Sequence, residues 1–298
     1  MKGIIIINPF HLPVQSVLQA ERLKEEFSNL NVDCKIVDNG FLHTHINSNG
    51  QICCDIKCDF AVYLDKDKYF SEILEKQGIK LFNSHKTIRL CDDKGQTYIA
   101  LSNNGLSVPK TIFAPVCYKK EVSYSKEFLI NIEEQLGYPI IIKESYGSMG
   151  KGVYKADNFK QLTEIAEQTK TVAHLFQEYI AYKEGTDIRI IIIGGKAVAV
   201  MERCNKNDFR SNIAVGGTGK KIDVPKAFID SAIKASKIVG ADYCGVDILY
   251  GKDNKPVICE VNSNAFFEGI EKITNVNVAK TYAQYIIEQT SKRKQLKF

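Results

Sequence analysis

The segment that most restricts the fold is an apolar run that enters a glycine loop and leaves it again: Pro139-Ile-Ile-Ile-Lys143-Glu-Ser-Tyr-Gly147-Ser148-Met-Gly150-Lys-Gly152-Val-Tyr-Lys155. The apolar residues read as a strand that delivers Lys143. The glycines let backbone amides approach a phosphate chain without side-chain obstruction. Gly147 and Gly152 have the first part of a P-loop spacing, but Val153-Tyr154 stands where that loop requires Lys-Ser/Thr. A β run also follows where the P-loop requires a helix, so a P-loop NTPase is excluded. On these residues alone, a flap over a nucleotide and a plain hairpin turn both stay open.

The rest of the chain bounds the setting. With 298 residues, 44% of them hydrophobic and 25% charged, it can bury a large core in two or three lobes. Disordered and fibrous classes are excluded. The longest apolar runs, Ile4 to Ile7 and Ile188 to Ile193, fall far short of the ~20 residues of a membrane span. The start, Met1-Lys2-Gly3-Ile4, lacks the apolar region of a signal peptide, so the cytoplasm is expected. Nine scattered cysteines fit free thiols rather than a disulfide framework. Cys53, Cys54 and Cys58 with His43 and His45 have zinc-binding chemistry but no paired CxxC spacing, and read as a packed hairpin. The net charge of +5 is small and scattered, and Lys292-Arg293-Lys294 reads as a solvated helix end, so nucleic acid is not an expected partner.

Three units are expected. Residues 1–88 alternate strands (3–8, 33–37, 60–64) with helices (14–28, 69–77), which implies a parallel sheet. The first strand ends at Asn8-Pro9 without G-x-G-x-x-G, so the dinucleotide fingerprint is absent. Residues 89–180 open with Asp92-Asp93 before a helical stretch that stops at Asn104-Gly105, then carry the glycine loop. Residues 181–298 alternate long β runs with one helix over 227–239, and close with a helix over 278–289.

Two further constellations carry chemistry. Gly245-Val-Asp247 and Glu260-Val-Asn262 flank the turn Gly251-Lys-Asp-Asn-Lys255. Glu260 and Asn262 share a strand face. A hairpin centred between Asp253 and Asn254 sets Asp247 opposite Glu260, with Cβ atoms roughly 5 Å apart. Two carboxylates and an amide oxygen on one face suit a hard cation, Mg²⁺ or Mn²⁺, while a solvated polar face of the hairpin stays open as the other reading. Asp187 and Arg189 likewise share a face, with Glu202-Arg203 and Asp208-Phe-Arg210-Ser211-Asn212 following. Arginine suits phosphate and carboxylate oxygens.

Asp93-Lys94 through Pro109-Lys-Thr111, the lysine strand with its glycine loop, Gln177-Glu178-Tyr179-Ile180, Asp187-Ile-Arg189, Asp208 to Asn212, Asp247 and Glu260-Val-Asn262 follow in that order. Together they resemble the ATP-grasp superfamily, and within it the RimK-type ligases that join an amino acid to a carboxylate. The resemblance covers roughly Leu90 to Ala279. It implies an α/β ATP-grasp fold: a Rossmann-like pre-ATP-grasp domain over 1–88, a central subdomain with the flap over 89–180, and a metal-bearing C-terminal subdomain over 181–298. It further implies that Lys94 and Lys143 contact the ATP phosphates beneath a flap of Gly147, Ser148, Gly150 and Gly152. Glu178, Tyr179 and Ile180 would form the hinge that reads adenine. Asp187 would sit near the ribose with Arg189 on the same wall, and Arg210, Ser211 and Asn212 would line the γ-phosphate end. Asp247, Glu260 and Asn262 would hold two Mg²⁺ or Mn²⁺ ions, and Arg210, Lys143 and Asn212 would act in catalysis.

The implied reaction is ATP-dependent amide formation through an acylphosphate, releasing ADP and phosphate. Its implied partners are ATP, a small-molecule or peptide carboxylate and an amino acid, with no membrane. A homo-oligomer stays open. After Asn262, where RimK-type ligases continue with Ser-Pro-Gly, this chain has Ser263-Asn264-Ala265-Phe266-Phe267-Glu268-Gly269, which leaves open whether glutamate is the added residue. An ATP-grasp kinase acting on a hydroxyl and a non-catalytic nucleotide-binding regulator are the competing readings.

Overall fold

A short run of isoleucines between Lys2 and Asn8 suits a strand covered on both faces, and it forms an inner strand of the first sheet. The computed structural model of the protein describes residues 1–10, 13–42, 44–213 and 216–295. In chain order the first lobe holds β1 (Lys2–Ile7), α1 (Val14–Asn29), β2 (Asp33–Asp38), β3 (Thr44–Ile46), β4 (Ile52–Cys54), β5 (Phe60–Tyr63), α2 (Lys68–Lys76) and β6 (Leu81–Phe82). The expected parallel sheet is present, in the order β2-β1-β5-β6. Gly3 is required there, because the Phe60 ring lies 2.2 Å from where a Cβ would stand. The strands β3 and β4 form the expected hairpin, pairing His45 with Cys53. His43 lies outside the described residues.

Next come α3 (His85–Asp92) and α4 (Lys94–Leu101), separated by Asp93, whose side chain accepts from the Gln96 N–H at 3.1 Å and caps α4. The helix ends at Leu101, before the expected Asn104-Gly105. A second sheet follows: β7 (Thr111–Phe113), α5 (Lys126–Leu136), β8 (Ile140–Glu144), β9 (Val153–Ala156), α6 (Phe159–Thr169) and β10 (His174–Glu178). It is antiparallel, in the order β7-β10-β8-β9. Ile140, Ile142 and Phe176 pack on Leu129, Ile132 and Leu162 of α5 and α6. By the period of two, Ile141, Lys143 and Gln177 face away from those helices.

The third sheet comprises β11 (Thr186–Ile193), β12 (Lys196–Cys204), β13 (Thr218–Lys221), β14 (Tyr243–Tyr250) and β15 (Pro256–Asn262), with α7 (Lys226–Ile238) between β13 and β14. All its pairs are antiparallel, in the order β13-β12-β11-β14-β15. Ile188, Ile190 and Ile192 are fully buried against Phe228, Ala232 and Ala235 of α7, each contributing about 1.5–3 kcal/mol. Cys91 and Leu101 join that core, so α3 and α4 pack on the third sheet although they precede the second.

The chain ends with α8 (Glu268–Thr274) and α9 (Val278–Gln295). Tyr282, Ala283 and Ile286 of α9 share one core with Phe27, Phe60 and Phe82 of the first lobe. The basic tail, expected to be solvated, is docked: Lys294 Nζ lies 2.7 Å from an Asp59 carboxylate oxygen, and Arg293 donates to the Gly78 carbonyl at 3.1 Å. An acidic residue brought close by the fold supplies what the local sequence did not show. No described helix is long and apolar enough to cross a membrane.

Candidate active site between the two antiparallel sheets

The second and third sheets face each other across a cleft, and the glycine loop between β8 and β9 closes its rim. Gly147 and Gly150 adopt φ of +139° and +78°, and Met149 between them is left-handed at +57°. A Cβ on Gly147 would lie 2.9 Å from the Lys151 carbonyl oxygen, so this turn requires glycine. Two cations hold the loop by its carbonyls: Lys94 Nζ donates to Gly147 O at 2.9 Å and Arg210 Nη1 to Gly150 O at 3.1 Å. Arg210 is also braced by Asp208, with Nη2 2.7 Å from Oδ2.

Lys94 is the first residue of α4, and Lys143 is buried near the end of β8. Burial pushes the Lys94 ammonium below its ordinary pKa; Glu260 pulls it back up and Lys143 adds to the lowering. Lys143 Nζ donates to the Tyr98 hydroxyl at 3.2 Å and lies 3.8 Å from Cys259 Sγ. The Tyr98 hydroxyl in turn donates to the Cys259 carbonyl at 2.5 Å. Two buried ammonium groups side by side favour a polyanionic ligand.

The cleft-facing side of the third sheet carries a row of charge. Asp187 and Arg189 share a face of β11; register sets Arg203 of β12 opposite Asp187 and Asp247 of β14 opposite Arg189. Arg189 binds both Asp247 oxygens at 2.7 Å, while Arg203 donates through Nε and Nη2 to the two Asp187 oxygens and reaches Asp247 Oδ2 at 2.9 Å. Burial would raise the Asp247 pKa, but Arg189 and Arg203 together hold it below its ordinary value.

Asp247 does stand opposite Glu260, and Gly245 opposite Asn262. The route differs from the expected one. Near the turn, Tyr250 pairs with Pro256 and Ile248 with Ile258, which centres the hairpin on Asp253; a bulge at Cys259 then restores the pair. A similar irregularity in β12, between the pairs Ile191–Ala199 and Ile192–Ala197, brings Arg203 opposite Asp187. A regular hairpin about Gly194-Gly195 would have put Glu202 there.

The cleft is lined by Lys94, Lys143, Gly147, Ser148, Gly150, Glu178, Tyr179, Ile180, Asp187, Arg210, Ser211, Asn212, Asp247 and Glu260. Three expected residues do not line it. Gly152 backs onto Glu144 and serves the turn, at φ +68°. Arg189 and Asn262 instead open onto an adjoining cavity, which shares Ser148, Met149, Asn212 and Glu260 with the cleft. The sequence alone assigned no role in the site to Tyr98 or Cys259, and named Gln177 and Arg203 only as neighbours of other site residues. Arg203 was visible as a strand residue after Glu202, but its partner depends on the irregularity; Tyr98 had no local signal.

The donor chemistry suits a divalent cation. The Glu260 carboxylate and the Asn262 side chain have no hydrogen-bond or ion-pair partner among the described residues. Asp247 offers about four lone-pair positions, of which the arginines take three, leaving one on Oδ1. No three His, Cys, Asp or Glu side chains form a metal cage among the described residues. Two carboxylates and an amide oxygen are instead the partial, oxygen-only set that Mg²⁺ accepts when phosphates complete its shell.

Residues 91–286 match the RimK-like ATP-grasp domain family. N-acetylaspartylglutamate synthase A of Homo sapiens is 33% identical over 227 residues, 76% of this chain and 56% of that protein. Glutamate–LysW ligase ArgX of Sulfurisphaera tokodaii is 34% identical over 231 residues, covering 75% and 78% respectively. The chain thus spans just over half the length of the first of these relatives. Among solved structures, D-alanine–D-alanine ligase from Bacillus anthracis complexed with ATP superposes with a TM-score of 0.73 at 17% identity, covering 100% of both chains, which shows a shared fold. By its family match and by the cleft between its two antiparallel sheets, this chain belongs to the RimK-like ATP-grasp family.

Proposed function

We propose that the chain is an ATP-dependent carboxylate–amine ligase that forms an amide through an acylphosphate. The observation that carries this reading is the convergence of Lys94, Lys143 and Arg210 on one cleft that the unpartnered Glu260 carboxylate also lines, with the unpartnered Asn262 side chain in the adjoining cavity. The Glu178-Tyr179-Ile180 segment links the two sheets and would hold adenine with its backbone. Lys94 and Lys143 would exchange their present oxygen partners for phosphate oxygens, and Arg210 would neutralise charge on the transferring phosphoryl group beside Ser211 and Asn212. Asp187, clamped by Arg203, would sit towards the ribose. Asp247, Glu260 and Asn262 would hold two Mg²⁺ or Mn²⁺ ions, which when bound would supply further neutralisation of phosphate charge. The closed glycine loop would keep water from the acylphosphate. The free thiols of the described cysteines suit the cytoplasm.

The test is a phosphate-release screen of carboxylates against amines with ATP and Mg²⁺. Wild type is expected to release phosphate only with a matched acid and amine, and Glu260→Gln to abolish it. Hydroxylamine should trap the acylphosphate as a hydroxamate. A stable phosphorylated product formed without any amine would replace the ligase reading by a kinase.

A further inference from the structure

The cavity beside the cleft is closed on its far side by the first lobe, through Pro13, Ser16, Leu64, Asp65 and Lys66. Its charged groups are unequal in how they are balanced. Arg189 is committed to Asp247, and Lys66 is paired with Asp92 at 2.9 Å. Asp65 has no cationic partner among the described residues; its contacts are neutral amides. Asn39 Nδ2 donates to Asp65 Oδ2 at 2.8 Å, and Asn8 Nδ2 reaches the two oxygens at 3.4 and 3.3 Å. Asn8 is itself fixed, its Oδ1 accepting from the Phe10 N–H at 2.9 Å.

These three residues follow the carboxyl ends of β2, β1 and β5, which are neighbours in the parallel sheet. That edge is where open parallel sheets bind ligands. Two amides orient the carboxylate without neutralising it, so its charge is available to a cation entering the cavity.

Resting on the ligase reading above, we infer that Asp65 binds the ammonium group of the acid substrate, which is therefore an amino acid or peptide carrying a free amine rather than a polyanionic acid. A carboxylate partner keeps an amine protonated, and a protonated amine cannot attack an acylphosphate. The group docked at Asp65 is thus a recognition handle and not the bond-forming nitrogen. The reacting carboxylate of the same molecule then points to the residues that cavity and cleft share, Ser148, Met149, Asn212 and Glu260. A separate amine substrate would reach Asp65 only if it carried a second ammonium.

The test uses a panel of α-amino acids and dipeptides beside their N-acetyl forms, which keep the carboxylate and lose the ammonium. Thermal shift in Mg²⁺ and ADP should show wild type stabilised by members with a free amine and not by their N-acetyl forms. Asp65→Asn, with unchanged melting in the absence of panel compounds, should lose that stabilisation, and Asp65→Glu should keep part of it. In phosphate release, Asp65→Asn should raise KM for the acid about 10- to 100-fold, with KM for ATP unchanged and kcat moved less. Equal stabilisation by N-acetyl forms, wild-type binding by Asp65→Asn, or no stabilisation by any free-amine compound would overturn the assignment. Stabilisation without phosphate release from any acid–amine pair would support Asp65 and count against the ligase reading.

Discussion

Replacing Arg203 by methionine removes the cation that joins two buried carboxylates. The Arg203, Asp187 and Asp247 side chains are 3%, 6% and 4% exposed. Without Arg203, Asp187 keeps no ion-pair partner among the described residues and Asp247 keeps only Arg189. Breaking a buried pair from one side costs about 3–5 kcal/mol, since an uncompensated charge stays buried. Against a usual total of about 5–15 kcal/mol this is large, and at roughly 2 °C per kcal/mol for a chain of this size it lowers Tm by about 6–10 °C.

Asp247 fixes the sign of the pH dependence. Its folded pKa lies below its ordinary value, so its contribution is present above the unfolded pKa near 3.9 and is lost as pH falls through the folded value. The deficit of Arg203→Met should therefore be full at pH 7 and shrink below about pH 4. Denaturant titrations of both proteins at pH 7 and pH 3.5 measure it. The double variant Asp187→Asn/Arg203→Met should recover part of the loss, since it removes a charge along with its partner. A deficit under about 1 kcal/mol at pH 7, or one that stays constant as the pH falls, would refute the reasoning.

Other outcomes follow from the same geometry. Tyr98→Phe removes the hydroxyl that binds Lys143 and the Cys259 carbonyl, and should raise KM for ATP several-fold in steady-state kinetics while leaving the circular dichroism spectrum intact. Gly150→Ala forces a side chain into a left-handed residue 3.2 Å from Arg210 Cδ; at about 1–2 kcal/mol of backbone cost, it should weaken nucleotide binding by calorimetry about tenfold. Glu202 is buried with Lys183, Lys220 and Tyr250, and although burial would raise its pKa, these partners hold it down to about 2. Glu202→Gln should thus lose stability at pH 7, with the difference closing as pH falls from about 4.5 towards 2 in thermal melts.

Much of the site is legible in the chain because it depends on short-range rules. The period of two puts Asp187 with Arg189 and Glu260 with Asn262 whatever the rest of the fold does. Glycine at positions 147 and 150 announces a backbone that other residues resist. Alternation of strand and helix announces the parallel first sheet. Cross-strand partners are less secure, because one irregular residue exchanges neighbours. The bulge at Cys259 keeps Glu260 opposite Asp247, and its counterpart in β12 puts Arg203 opposite Asp187 in place of Glu202. A bulge answers to packing on both sides of a sheet, which no window of sequence contains.

The sequence by itself therefore determined the strand–helix alternation of the first lobe, the glycine loop between two strands, the faces of individual strands and the resemblance that the family match bears out. Tertiary structure alone decided which charges pair, that the basic tail docks on Asp59, and that Asn8, Asn39 and Asp65 converge on the second cavity. The physical reason is the range of the forces involved. Periodicity and backbone freedom act over a few residues, whereas ion pairs and cavities join groups that meet only once distant segments have packed, as Asp65 and Glu260 do in lining one cavity.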